Sequence, residues 1–346
     1  MLIFDARVQD LIKKMCKGKK HIKLTIGMHM DGKNAIHIFD ETGETSNESY
    51  VYPIGSVTKT FVASLLAKFV HEGKMSLDDS ISKYISGLDS GRYYPTLKRL
   101  AAHTSGYATR LGANAIMKIF VDEVKESFGI GGGYNPYNLS VEEMIRIVRK
   151  NLVADKDYKW NYSNFNYALL GYAIGVASGQ GYWKTMDDFL LNDLGMSNSY
   201  TGIRQGNIPA YNWNNKNVGH WFETKDFAAP CGDISATAED LLTYAKLNMN
   251  EEPPYLALCH QKYTESKTYD MGLAWHMIKG NNSMIFHTGQ TSTPLTWLMI
   301  SKEYKCAYVV LLNYGLDKEF VQLGNLLGEV LSKKIDGEHK NIAEDK

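Results

Sequence analysis

Apolar residues recur along this chain in two rhythms, and the rhythm changes in a definite order. Leu2, Ile3, Val8, Leu11 and Ile12 are spaced among Asp5, Arg7 and Asp10, the pattern of an amphipathic helix over residues 1–16. Ile22–Met30 and Lys33–Asp40 then read as strands, and Asp31-Gly32 between them is a two-residue hairpin signal. From Ser56 the period becomes helical. Phe61, Val62, Leu65, Leu66, Phe69 and Val70 recur at i, i+3 and i+4, a buried stripe. Ser140 with Glu143 forms a capping box for a helix through about Lys150. Asn164–Ser178, rich in Ala, Gly, Leu and Tyr, reads as a tightly packed inner helix. Trp183–Asp193 is another, stopped near Gly195, and Thr237 with Asp240 caps a helix over Ala238–Met249. The strand rhythm returns in Gly272–Lys279, Ser283–His287, Leu295–Ser301 and Cys306–Asn313, with Gly280-Asn281-Asn282 as a turn. Leu316–Lys333 closes as a helix with Phe320, Leu323, Leu327 and Leu331 on one face, and the charged tail after Ile335 is expected to fray.

Strands at both ends with helices between them imply an α/β (α+β) fold. One antiparallel sheet is built from both chain ends, flanked by helices, with a mostly helical lobe inserted. Residues 1–346 make a single domain, with an α/β lobe of 1–60 plus 265–346 and a helical lobe of 61–264. Functional groups are expected in the cleft between sheet and lobe.

Composition narrows the choices. The chain has 346 residues, 44% of them hydrophobic, enough for a sizeable core. Its formal net charge is zero, so no electrostatic grip on nucleic acid is expected. Lys13, Lys14 and Lys17 to Lys20 read as a solvated helix end. No apolar run is long enough to cross a bilayer, and residues 1–16 lack the unbroken apolar stretch of a secretory leader. Four scattered cysteines without Cys-x-x-Cys read as reduced thiols. The expectation is a cytoplasmic protein acting on a small molecule or peptide, with no membrane partner. The histidines show no paired ligand spacing and no glycine-rich phosphate cradle occurs, so neither metal nor cofactor is expected.

Three short patterns carry candidate chemistry: Ser56-Val57-Thr58-Lys59, Tyr162-Ser163-Asn164 and His287-Thr288-Gly289. A serine hydroxyl is a weak nucleophile until a nearby base takes its proton. In a helix opening at Ser56, Lys59 lies one turn on and shares its face. The helix start also presents N–H groups and a positive dipole end to a developing oxyanion. Tyr162 can shuttle a proton when a cation such as Lys59 stabilises its phenolate. Asn164 can orient Lys59 or a substrate carbonyl. His287 supplies a titratable donor, and Gly289 lets a strand edge approach the substrate closely. Ser-x-x-Lys alone says little, because Ser80-Ile81-Ser82-Lys83 repeats it and reads as a polar helix start. The ordered set reads as a serine hydrolase working through an acyl-enzyme.

With these residues the chain resembles the penicillin-recognising serine enzymes, in the class C beta-lactamase, serine D,D-peptidase and D-aminopeptidase branch. The resemblance runs through roughly residues 22–315. It includes Leu100-Ala101-Ala102-His103-Thr104-Ser105-Gly106-Tyr107, Tyr162 to Gly171, Leu194-Gly195-Met196 and Ser235 to Leu241. The resemblance implies Ser56 as the acylated nucleophile, Lys59 and Tyr162 as its catalytic partners, and Asn164, His287, Thr288, Gly289 and Gln290 as substrate-binding residues. The oxyanion hole would use the backbone N–H groups of Ser56 and Gln290. His103 is read as part of a structural turn. His287 stands where beta-lactamases commonly carry lysine, which makes charge at that wall depend on pH. Gln290 to Pro294 and Pro230-Cys231-Gly232-Asp233 also depart from the family's glycine-rich runs.

The substrates implied are peptides, amides or esters, including D-configured ones. An acyltransferase or esterase with the same acyl-enzyme is the second reading, and a non-catalytic sensor or scaffold the third. The segment Ala108–Leu139, with Gly131-Gly132-Gly133, Tyr134 and Tyr137, reads as a surface loop or a lid over the substrate. Trp213 and Trp221, which go with the Asn-rich segment Tyr211–His220, either line the cleft or anchor a long loop.

Overall fold

The computed structural model describes residues 4–45, 49–108, 140–220 and 227–344. The loop tyrosines and Trp221 lie outside them. A nine-stranded antiparallel sheet runs in the order β3-β2-β1-β12-β11-β10-β9-β8-β7. Its strands are β1 (Leu24–Met30), β2 (Lys33–Asp40), β3 (Gly43–Thr45), β7 (Thr264–Glu265), β8 (Tyr269–Met271), β9 (His276–Ile278), β10 (Asn281–Gln290), β11 (Leu295–Ser301) and β12 (Cys306–Leu312). The two chain ends meet at β1 and β12, with Leu24 opposite Leu312 and Ile26 opposite Val310. This is the fold class expected from the sequence. A second small sheet joins β4 (Tyr52–Pro53), β5 (Tyr200–Thr201) and β6 (Ile234–Ala236) in the order β4-β6-β5.

The helices are α1 (Ala6–Cys16), α2 (Thr58–His71), α3 (Leu97–Ala101), α4 (Val141–Lys150), α5 (Asn164–Ser178), α6 (Tyr182–Asp188), α7 (Ala238–Asn250) and α8 (Asp317–Glu344). Strand alternation divides the core between the two sheet faces. On β12, Ala307, Val309 and Leu311 join the larger cluster with Phe61, Leu66, Leu170 and Tyr244, beneath α2, α5 and α7. Tyr308, Val310 and Leu312 face the other way, onto Leu11, Met15, Phe320, Leu323 and Leu327 of α1 and α8. At Gly27 a Cβ would lie 3.3 Å from Leu242 Cδ1, so the missing side chain lets α7 press on β1.

Local chemistry sets the element ends. Ser140 and Glu143 form the reciprocal capping box on α4. Thr237 accepts from Asp240 N at the start of α7. The helix expected over Trp183–Asp193 is α6 followed by a π turn at Phe189–Asp193. The strand expected over Gly272–Lys279 is reduced to β9. Ala274 takes φ +65°, and a Cβ at Gly272 would sit 2.2 Å from the Cys259 carbonyl oxygen, so the chain kinks there. The closing helix continues to Glu344, past the expected end at Lys333, where no proline interrupts it. Among the described residues no helix is long and apolar enough to cross a membrane.

Candidate active site

Ser56 sits in a single 3-10 turn, Gly55–Val57, that runs into α2. The tight turn and the first turn of α2 bring Lys59 back beside it. Lys59 Nζ donates to Ser56 Oγ at 2.9 Å and to the Cys231 carbonyl oxygen at 2.6 Å. Lys59 is fully buried, and its ammonium lies 5.0 Å from the Tyr162 ring centre and 5.8 Å from that of Tyr167. Tyr162 Oη completes the group, donating to Ser56 Oγ at 2.7 Å. Two side chains from distant segments therefore converge on the Ser56 oxygen. The second Ser-x-x-Lys does nothing of the kind. Ser80 caps its own turn through Ser82 N, and Lys83 points outward to Asp79 at 3.0 Å.

Tyr162 ends an irregular segment just before α5, and the His103 turn holds that segment. His103 takes φ +58° and is buried. Its carbonyl accepts from Asn161 N at 3.0 Å and its Nδ1 accepts from Ser163 N at 3.1 Å. Ser105 Oγ donates to Asn166 Oδ1 at 2.9 Å, and Tyr167 Oη donates to the Ala101 carbonyl at 2.8 Å. The two sequence segments around His103 and Tyr162 are thus one hydrogen-bonded unit. With Nδ1 an acceptor, His103 carries its proton on Nε2. Burial, with repulsion from Lys59 and His276, holds it well below the usual histidine range. The turn reading of His103 stands, and its ring also packs 4.8 Å from that of Tyr162.

The opposite wall is β10. A Cβ at Gly289 would lie 1.9 Å from the Ile54 carbonyl oxygen and 3.0 Å from Ser56 N. One at Gly55, with φ +53°, would lie 2.5 Å from Gln290 N. Only glycines at these two facing positions let the strand lie against the nucleophile turn. The Gln290 backbone and the Ser56 turn are thereby brought against each other. Asn164, Thr288 and Gln290 line a cavity of about 730 Å³ with Ser56 and Tyr162.

His287 differs from expectation. It is buried, its Nδ1 donates to the Thr288 carbonyl at 2.6 Å, and Nε2 has no hydrogen-bond partner among the described residues. Burial, then repulsion from His276 and Lys59, holds it well below the usual histidine range. It is a neutral residue at ordinary pH, so the wall carries no pH-dependent positive charge there. Sequence reasoning also missed His276, whose ring stands 5.1 Å from that of His287 and which burial lowers to about 4. It missed the Cys231 carbonyl and Asp317 as well. A main-chain oxygen leaves no residue-type signal, and His276 and Asp317 belong to no motif. Trp213 is 59% exposed and is not part of the cavity wall. Its segment is held instead by Tyr211, stacked between His21 and Tyr314, and by Asn215, which accepts from Tyr314 Oη at 2.8 Å.

The Beta-lactamase family model matches residues 33–329. The chain belongs to the beta-lactamase family. Among its relatives in that family is a protein named beta-lactamase from Providencia stuartii, 23% identical over 252 residues, covering 70% of this chain and 59% of that one. The chain thus spans about three fifths of that relative's length. A solved class C beta-lactamase has the same fold, with TM-score 0.75 and 20% identity over 94% of this chain and 96% of the other. A D-stereospecific amidohydrolase from Streptomyces follows at TM-score 0.70 and 18% identity, covering 92% and 97%. At these identities the structures speak to the fold. Within it, this family member sets the Ser56, Lys59 and Tyr162 side chains within hydrogen-bond reach of one another.

Proposed function

We propose that the protein is a serine hydrolase that forms an acyl-enzyme on Ser56 and hydrolyses amide, peptide or ester bonds. The observation that carries this reading is the convergence of Lys59 Nζ and Tyr162 Oη on Ser56 Oγ, at 2.9 and 2.7 Å. In the proposed reaction Tyr162 enters as the phenolate, with Lys59 at hand beside its ring, and takes the serine proton as Oγ attacks the carbonyl carbon. The tetrahedral oxyanion is held by the N–H groups of Ser56 and Gln290. Tyr162 then gives its proton to the leaving amine or alcohol, the C–N or C–O bond breaks, and an ester to Ser56 remains. Water enters by the reverse order: Tyr162 takes its proton, and Ser56 leaves with that proton restored.

A neutral His287 supplies no fixed cation for a substrate carboxylate, so efficient turnover of carboxylate-bearing beta-lactams is not expected. Likeness to a D-stereospecific amidohydrolase supports D-configured amides among the substrates. Four buried thiols without a disulfide support a reducing, cytoplasmic setting.

The test is a fluorophosphonate label mapped by mass spectrometry, with turnover of p-nitrophenyl esters, D- and L-aminoacyl amides and a chromogenic cephalosporin. The label is expected on Ser56, and Ser56→Ala is expected to lose label and turnover together. Label on another serine, or undiminished turnover by Ser56→Ala, would end the reading.

A further inference from the structure

Beyond Gly289 the cleft is walled by side chains that take no part in the acyl transfer proposed above. Leu295 and Trp297 stand on β11, and the start of α8 brings Asp317, Phe320 and Val321 to the same cavity. Leu295, Trp297 and Phe320 are buried at the level of the whole residue, yet each shows an edge to the cavity. Together with Val321 they make an apolar face. Asp317 stands exposed at its rim, where its Oδ1 accepts from Gln290 Nε2 at 3.4 Å. It makes no ion pair among the described residues. One carboxylate is therefore tethered to the residue whose backbone lies against the nucleophile turn.

The charge balance of the cavity gives this carboxylate its meaning. Apart from Tyr162 and two histidines, Asp317 is the one acidic or basic side chain among the described residues of the wall. Those two, His276 and His287, are kept neutral by burial. Lys59 is committed to Ser56 and Cys231. Asp317 opens α8: partial burial raises it above the usual carboxylate range, and the hydrogen bond from Gln290 and the helix dipole oppose that shift. With Tyr162 set beside the Lys59 ammonium, Asp317 is the one uncompensated charge among the described residues of the wall, and such a wall attracts ammonium groups and repels carboxylates.

We propose that Asp317 is a specificity-determining residue that selects substrates presenting an ammonium group beside an apolar body, seated against Leu295, Trp297 and Phe320, and rejects those presenting a carboxylate there. This rests on the acyl transfer proposed at Ser56 and adds the class of substrate.

Matched esters test it. One series ends the acyl chain in an ammonium, a methyl or a carboxylate group; a second places the same three groups on the leaving alcohol. In at least one series kcat/KM is expected to favour ammonium over carboxylate by about ten-fold or more. That ratio is expected to collapse in Asp317→Asn, whatever the absolute rates, and to invert in Asp317→Lys. A wild-type ratio at or below one in both series, or an unchanged ratio in Asp317→Asn, overturns the proposal. Ser56-dependent turnover of the methyl esters reports separately on acyl transfer itself. The same contrast is read without turnover by calorimetry of hexylammonium and hexanoate on Ser56→Ala. Tighter ammonium binding that Asp317→Asn weakens on that background supports the proposal; equal binding overturns it.

Discussion

Lys59 is an ammonium with no solvent exposure, and its charge is met by Ser56 Oγ, the Cys231 carbonyl and two aromatic faces. A buried cation so placed stays only because it is hydrogen-bonded. Lys59→Met is expected to keep the volume, remove the charge and slow Ser56 labelling by about 10²- to 10⁴-fold. Tyr162→Phe leaves the ring against His103 and removes only Oη. A similar fall in kcat is expected, with little change in unfolding midpoint, because one exchanged hydrogen bond is worth about 1 kcal/mol. Comparing the two properties separates chemistry from packing. The buried histidines make a different prediction. His276 titrates near the ordinary 6.5 when unfolded and at about 4 when folded. Between those values the unfolded chain binds the extra proton. Stability present above 6.5 is therefore lost as pH falls towards 4. His276→Phe, which keeps the stack on Phe286, is expected to lessen this acid loss by on the order of 1 kcal/mol per pH unit. Urea midpoints at pH 7 and pH 5 would show it; equal pH slopes in the two proteins would count against it.

The nucleophile turn and β10 depend on each other through Gly55 and Gly289. Gly289→Ala would drive a methyl group to 1.9 Å from a carbonyl oxygen, and backbone cannot swing aside as a flexible side chain can. Loss of Ser56 labelling is expected together with a destabilisation of about 3 kcal/mol or more, read by urea unfolding. A variant of wild-type stability and reactivity would mean that strand and turn do not meet as described. Gly324 has the corresponding role for α8, since a Cβ there would lie 2.4 Å from Trp297. Overpacking by Gly324→Ala is expected to cost about 1–3 kcal/mol and to shift the cleft wall that Trp297 and Phe320 share. The long periodic elements were readable from sequence because burial imposes a period. Lys33–Asp40 and Leu295–Ser301 have the bounds the pattern gave. β7 and β8 were not readable, because strands of two or three residues hold too few positions to show alternation.

Nine strands with helices on both faces require the middle strands to be apolar on both sides, and β1 and β12 are buried along their whole lengths. That explains why runs of nearly continuous apolar residues at the two ends of the chain announced the sheet. The site is assembled differently, from residues around 56, 162, 231, 276, 287 and 317 that lie far apart in sequence and meet only in the folded cleft. Its motif-bearing members were readable because each has a distinctive neighbourhood in sequence. The Cys231 carbonyl, His276 and Asp317 acquire their roles from position alone. The two faces of the sheet should accordingly respond differently to damage. α1 places Leu11 and Met15 in the outer cluster, and no residue of α1 lines the cleft. Leu11→Ala or Met15→Ala is expected to cost about 2–5 kcal/mol by transfer and cavity formation. The two lie one turn apart, so the double variant need not show their full sum. Well below the unfolding transition, the labelling rate of Ser56 should nevertheless match wild type, because the sheet stands between α1 and the helices around the nucleophile. Stability by urea and labelling rate by mass spectrometry are measured on the same samples. Leu295, Trp297 and Phe320 of the outer cluster do line the far wall of the cleft, so rates that fell in step with stability would show that the outer layer also sets the geometry around Ser56, and the independence of the nucleophile from that layer would have to be given up.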